Sequence, residues 1–275
     1  MLTKIRNILE APRQIKRLSK HLEALEDDVD GLRSRLDLDP ELLERFFMDR
    51  ASSEYQDAYN RENPLVTICI ATYNRGHLLM ERSVRSALNQ SYQNLEVLVV
   101  GDCCADDTEE LLRSITDPRL RFVNLPRRGD YPADPMLRWM VAGTSPVNYA
   151  LEQAKGEFVT HLDDDDEFPS ERIERLLHFI RDTRADIVWH PFWAENQDGK
   201  WRLKECSEFK KGQVTTSSVF YHHWFKRIPW DIDAYRYREP GDWNRFRKFK
   251  YLGAKAVRCS EPLLRHFMER SQVNR

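Results

Sequence analysis

Three short segments constrain the fold of this chain most: residues 65–71 (LVTICIA), 95–100 (LEVLVV) and 158–162 (FVTHL). Each is almost unbroken apolar sequence and each runs into a polar turn. Such a run is shorter than a packed helix and suits a strand covered on both faces, as in a parallel sheet. Leu120–Asn124 reads as one more strand. Between these runs the apolar spacing turns helical. Leu78, Leu79, Val84, Ala87 and Leu88 have it within 77–89. Acids open a second helix at 106–114, where they suit the helix dipole. Residues 147–155 form a third, ended by Gly156. Strands alternating with helices predict an α/β fold with a parallel sheet and right-handed crossovers.

The remainder is less periodic. Residues 127–145 contain Gly129, Pro132, Pro135 and Gly143 and are expected to be a loop across one face. Pro169 is expected to open a helix through 182. Beyond Asp186, residues 187–189, 214–221 and 256–259 read as strands, 198–199 as a turn and 242–251 as a helix.

Asp163, Asp164, Asp165 and Asp166 follow the run at 158–162 at once. In open α/β sheets, ligands bind beyond the carboxyl ends of the strands, and this is such an end. Four adjacent carboxylates repel one another, and crowding raises their pKa values. A hard divalent cation relieves that repulsion, and carboxylate oxygens suit Mg2+ or Mn2+. An isolated acidic run is more often a solvated turn. The strand before it and the helix after it favour a metal and phosphate site.

Composition excludes several classes. The formal net charge of −2 gives no global basic field for nucleic acid. Five cysteines, an odd count with no C-x-x-C spacing, argue against a disulfide framework or a zinc site and fit a reducing compartment. The N-terminus has basic residues but no unbroken apolar core of a signal peptide. No stretch approaches the roughly 18 apolar residues of a membrane-spanning helix. The expected location is the cytoplasm, with peripheral attachment at the inner face of a membrane as a second reading.

The first sixty residues form a separate arm. From Ile15 through Leu18, Leu22, Leu25, Val29 and Leu32 to Leu36 the apolar steps alternate three and four, an a/d heptad seam. Pro40 interrupts it, and residues 41–48 begin a short amphipathic piece. The arm reads as a coiled coil that forms a homodimer or docks on a partner, or as a helix folded back on the rest. A third reading is membrane-surface attachment through Lys4, Arg6, Arg13, Lys16, Arg17 and Lys20. Residues 52–63 are polar and read as a linker, so 1–62 is the expected arm and 63–275 the expected catalytic domain.

Three stretches resemble one known family. Residues 66–75 (VTICIATYNR) resemble the first strand and turn of family 2 glycosyltransferases, which have the GT-A fold. Residues 86–92 and 94–100 are similar to that family's next helix and strand. Residues 156–166 (GEFVTHLDDDD) resemble its Asp-x-Asp metal motif. The resemblance runs from about 64 to 182 and implies a GT-A fold, a nucleotide-sugar donor with UDP favoured, Mn2+ or Mg2+, and a glycan or other hydroxyl acceptor. It also implies roles. Thr72, Tyr73 and Arg75 line the nucleotide pocket, and Asp102 contacts the base. Asn148 lies near the donor sugar. Asp163 and Asp165 are the motif pair, with Asp165 the stronger candidate for direct metal ligation. Asp164 belongs to the donor site, and Asp166 orients donor or acceptor hydroxyls. Where the family often has Asp-Asp-Gly-Ser, this chain has Gly101-Asp102-Cys103-Cys104, which leaves the base preference open.

The family generally inverts the anomeric centre, which requires a carboxylate to deprotonate the acceptor hydroxyl. The matching stretch is 239–243 (EPGDW), with Asp242 as base, Glu239 in reserve and Asp231 third. The competing reading of Asp242 is a helix N-cap. His266 is a candidate secondary contact to metal or phosphate. Ser217 and Ser218 are candidates for the acceptor, and Trp189, Trp193, Trp224 and Trp243 are candidate stacking platforms as a group. A noncatalytic scaffold assembled through the arm is the rival reading. A dinucleotide dehydrogenase would need G-x-G-x-x-G after the first strand, which is absent.

Overall fold

The computed structural model describes residues 2–268, and for 2–11 and 13 the backbone alone. The chain divides into two compact units, Met1–Phe47 and Met48–Arg275.

In the first unit, α1 (Leu2–Asp37) is one long helix. Its seam residues are exposed, from 43% at Val29 to 85% at Leu36. The side chains of Lys4, Arg6 and Arg13 lie outside the described residues. A break at 38–39 leads into α2 (Pro40–Ala51), where Asp39 accepts from the Glu41 N–H at 2.9 Å.

The second unit starts before residue 63. The segment expected as a linker is instead α3 (Ser53–Asn60), capped by Ser52, whose hydroxyl accepts from the Tyr55 N–H. Its apolar positions Tyr55, Ala58 and Tyr59 fall at i, i+3 and i+4 and are buried. The Tyr55 hydroxyl donates to Asp186 Oδ1 at 2.7 Å, and its ring stacks on His222 at 3.6 Å. Arg50 pairs with the same aspartate at 2.9 Å. The arm therefore ends near Met48, and α3 is part of the larger unit's core.

The strands expected from the apolar runs are present. β1 (Val66–Thr72) leads into a helical stretch of three parts: α4 (Gly76–Leu79), a π-helical turn at Met80–Val84 and α5 (Arg85–Leu88). β2 (Leu95–Gly101), α6 (Thr108–Arg113) and β3 (Leu120–Asn124) follow. The expected loop at 127–145 contains a helix, α7 (Pro135–Val141), capped by Asp134, whose side chain accepts from the Leu137 N–H at 2.9 Å. Then come α8 (Thr144–Gln153), β4 (Phe158–His161) and α9 (Arg172–Thr183). α9 starts three residues after Pro169, so that proline precedes the helix instead of opening it.

After α9 come β5 (Ile187–Trp189) and a hairpin of β6 (Phe192–Glu195) and β7 (Trp201–Lys204). The strand expected over 214–221 is shorter: a 3-10 turn at Thr216–Ser218 precedes β8 (Val219–His222). α10 (Gly241–Tyr251), β9 (Ala256–Arg258) and β10 (Arg265–His266) complete the described chain.

Seven strands form one mixed sheet in the order β3-β2-β1-β4-β8-β5-β9, and β10-β6-β7 form a second. β3, β2, β1 and β4 are parallel, while β8 runs antiparallel to β4 and β5. The chain goes from β1 outward to β3, then returns to place β4 on the other side of β1. That reversal opens a crevice beyond the carboxyl ends of β1 and β4, the position where open sheets bind ligands.

Candidate active site

Three strand ends supply the floor of this crevice. Thr72 ends β1 and is buried; its hydroxyl donates to Asp164 Oδ2 at 2.8 Å. Arg75, three residues on, reaches Asp164 Oδ1 at 3.0 Å and Asp165 Oδ2 at 3.2 Å. Asp102 follows β2, and its N–H donates to the Thr72 carbonyl. The aspartate run follows β4. The structure thus brings Thr72, Tyr73, Arg75, Asp102 and Asp163–Asp166 to one end of the sheet.

The run is held on both sides. Arg82 Nη1 donates to the Asp165 carbonyl at 3.0 Å, and Ser83 Oγ to the Asp164 carbonyl at 3.2 Å. Both donors sit in the π-helical turn. Asp166 is fully buried: Oδ2 meets His266 Nδ1 at 3.0 Å and Oδ1 accepts from the Phe267 N–H at 3.1 Å. Burial lowers the His266 pKa, but the hydrogen bond to Asp166 and the charges of Asp166, Asp163 and Asp165 outweigh it and lift the ring to about 9. Asp163 goes the other way from an ordinary carboxylate. Loss of water around it, then the charges of Asp166 and Asp165, hold it well above its usual value.

Among the described residues, no three His, Cys, Asp or Glu side chains converge in a metal-holding cluster. Mg2+-type sites do not need one: they use one or two carboxylates plus substrate phosphates and water. The crowded charges that raise Asp163 are the repulsion a cation would relieve, and the donor set is all oxygen. The residues present fit such an ion.

Asp102, at the end of β2, has partners that the sequence did not suggest. Asp102 Oδ1 accepts from the Gly129 N–H at 3.1 Å, and Arg128 Nε lies 3.9 Å from Oδ2. The Arg128 guanidinium sits 3.6 Å over the Tyr73 ring. Sequence reasoning missed Arg128, Arg82 and Ser83. The only signal for Arg128 was a basic pair before Gly129 in a stretch without periodicity. A groove of about 630 Å3 nearby is lined by Cys103, Leu112, Phe122 and Leu125 among others. It shares none of the aspartates or arginines of the crevice, so it is a different feature.

Asp242 lies in the first turn of α10, whose N-cap is Pro240, so it is not the capping residue. Burial raises its carboxyl to about 6, against the lowering effect of nearby backbone N–H groups, of which Trp243 donates to Oδ1 at 2.6 Å. Ser217, adjacent to Thr216, accepts from the Asp163 N–H at 2.9 Å. The aspartate run is thereby tied to the 3-10 turn that precedes β8.

Several expected contacts are redirected. Glu239 is buried in a pair with Arg247 at 2.7 Å and also accepts from Asn244 at 2.9 Å, so both its oxygens are engaged within the fold just before α10. Asn148 uses both ends of its amide on the Trp230 backbone, donating to its carbonyl at 3.0 Å and accepting from its N–H at 2.8 Å. Ser217 and Ser218 are buried and locked in backbone hydrogen bonds. Trp189, Trp224 and Trp243 are core residues, whereas Trp193 is exposed.

Comparison with known proteins agrees with this architecture. The solved structure of residues 1–349 of TarS from S. aureus superposes with a TM-score of 0.57 at 20% identity, over 74% of this chain and 60% of that one. A mannosyltransferase from Pyrobaculum calidifontis, solved with GDP-Man and Mn2+, gives 0.56 at 18% identity, over 79% and 64%. The fold is that of the GT-A glycosyltransferases. The Glycosyl transferase family 2 profile matches residues 67–133 and 144–250, and the chain belongs to that family. A chondroitin synthase of Pasteurella multocida is 30% identical over 172 residues, which is 61% of this chain and 16% of that protein. A putative colanic acid biosynthesis glycosyl transferase of Escherichia coli K12 is 29% identical over 139 residues, 50% of this chain and 43% of that one. The chain therefore spans less than half the length of either relative. No described helix is long and apolar enough to cross a membrane.

Proposed function

We propose that this protein transfers a sugar from a nucleotide-sugar donor, a UDP-sugar in the favoured reading, to a hydroxyl of a glycan acceptor, with inversion and with a divalent cation. The observation that supports this reading is the gathering of Thr72, Arg75, Asp102 and the aspartate run at one end of the sheet, with Arg75 3.0 Å from Asp164 and 3.2 Å from Asp165. Solved relatives of the fold are complexes with UDP-GlcNAc and with GDP-Man, which supports a nucleotide-sugar in the same crevice.

In this mechanism Tyr73, Asp102 and Arg128 hold the base. Asp165 and Asp163 would hold Mn2+ or Mg2+, with Arg75 beside them; the ion, when bound, would supply charge stabilisation to the departing nucleoside diphosphate. Asp242 takes the proton from the acceptor hydroxyl as that oxygen attacks the anomeric carbon. A base with a pKa near 6 is ionised at neutral pH and still basic enough to accept a proton during attack. Asp166, fully engaged by His266 and Phe267, acts by keeping the loop in shape. Biosynthesis of a polysaccharide or surface glycan is the proposed setting.

The arm belongs to the same reading as a dimerising coiled coil, because its seven seam side chains are exposed. Attachment to an anionic membrane surface through the basic N-terminal residues is the competing role for the arm, at the cytoplasmic face.

The test is to incubate the protein with a panel of nucleotide-sugars and Mn2+ or Mg2+ and follow nucleoside diphosphate release and donor binding. Absence of binding and turnover for every donor, with and without metal, would leave the noncatalytic scaffold as the better reading.

A further inference from the structure

Four of the seven tryptophans, Trp189, Trp224, Trp230 and Trp243, are buried. Trp193 and Trp201 are 39% and 38% exposed, and Leu203 is 37% exposed. The hairpin register puts these three together. Trp193 is opposite Leu203 and Glu195 is opposite Trp201. Side chains alternate along a strand, so all four stand on one face of the small sheet. Diagonal neighbours in such a pair lie roughly 7–8 Å apart. Arg265 of β10 pairs with Trp193 and joins the same face. The opposite face carries Phe192 and Ala194, both buried, and the His266 ring, which packs on Phe192 at 5.7 Å.

This outer face is continuous with the aspartate run. Trp201 meets the Phe267 ring edge-on at 4.9 Å. The Arg82 guanidinium lies 3.9 Å over that ring, and Arg82 also donates to the Asp165 carbonyl. The Phe267 N–H donates to Asp166. A strip of side chains thus leads from Trp193 and Leu203 through Trp201 and Phe267 to the loop that would hold the metal.

We propose that this strip is an acceptor subsite at which pyranose rings of a glycan stack on Trp201 and Trp193. A pyranose has an apolar C–H face and a rim of hydroxyls. Tryptophan offers a flat apolar surface, and Glu195 and Arg265 on the same face supply an acceptor and donors for the rim. The continuity with the aspartate loop argues for substrate over an unrelated ligand. A protein strand is a poorer occupant, because the edge strand β7 carries Arg202 and Lys204, charges that oppose strand addition. The inference rests on the transferase reading above for the identity of the glycan as acceptor.

The test uses the full chain and calorimetry with three probes: UDP with Mn2+, a tetrasaccharide set (cellotetraose, chitotetraose and a chondroitin tetrasaccharide), and phosphatidylglycerol–phosphatidylethanolamine vesicles. The native protein is expected to bind at least one tetrasaccharide. Trp201→Ala and Trp193→Ala are each expected to weaken that binding about tenfold, the scale of one lost aromatic contact with its buried area. Trp201→Tyr should recover most of it. Trp139→Ala, which removes an exposed tryptophan on α7, should change nothing, and UDP binding should be equal in all five proteins. The subsite is overturned by the native protein binding no tetrasaccharide, by Trp201→Ala and Trp193→Ala both binding like the native protein, or by vesicle binding that Trp201→Ala removes. If the native protein binds tetrasaccharide through Trp201 but binds no UDP, the glycan-binding face stands and the transferase reading falls.

Discussion

Asp242 has a carboxyl raised to about 6, first because burial removes its water and then because Glu239 is near. An unfolded aspartate titrates near ~3.9. The folded value is higher, so the fold favours the protonated form. The stabilisation is complete below the unfolded value and is lost as pH rises through about 6. Asp242→Asn is therefore expected to melt higher than the native protein at pH 8, with the gap closing toward pH 4, in paired thermal scans. Activity runs the other way. Transfer should rise with pH through a midpoint near 6, and Asp242→Asn should lower kcat by about 10²–10⁴-fold while UDP binding stays unchanged. Normal transfer by that variant would move the base elsewhere. Asp165→Ala, or chelation of the native protein, is expected to remove the metal-dependent part of donor binding by calorimetry. At this scale the gathering of Thr72, Arg75, Asp102 and the aspartates at one end of the sheet was legible, because these residues sit directly at strand ends. The partners of Glu239 and Asn148, Arg247 and the Trp230 backbone, were not legible, because they are fixed by packing that no local pattern shows.

Among the elements, α3 makes the sharpest departure from expectation. Its buried face is two tyrosines and an alanine, a helical pattern that polar composition concealed. Tyr55→Phe removes a buried donor to Asp186 and should cost about 1–3 kcal/mol in urea unfolding. A change of a few tenths would mean that the carboxylate finds another partner. Strands β1, β2 and β4 were legible because central parallel strands are apolar on both faces. β6, β7 and β10 were not. They are two to four residues long, half exposed, and defined by pairing with one another. α7 was hidden for a related reason: Met136 and Trp139 point outward, at 65% and 60% exposure, so its apolar residues do not mark one inner face. The π-helical turn at Met80–Val84 left no sequence signal, yet it carries Arg82 and Ser83, which hold the aspartate run.

For the molecule as a whole, the exposed seam of α1 predicts self-association. The full chain should sediment as a dimer, and Leu25→Asp with Val29→Asp should sediment as a monomer with unchanged UDP binding. A native monomer would remove the dimer and leave the other readings of the arm, docking on a partner, folding back on the rest or membrane attachment. The sheet order also places the end of the described chain against its middle, since Asp166 is held by His266 and Phe267, 100 and 101 residues later. That separation has a consequence in time. At roughly 5–20 residues per second, a ribosome needs about 5–20 s to go from the aspartates to the residues that hold them. The aspartate loop therefore cannot take its final contacts until His266 and Phe267 have been made.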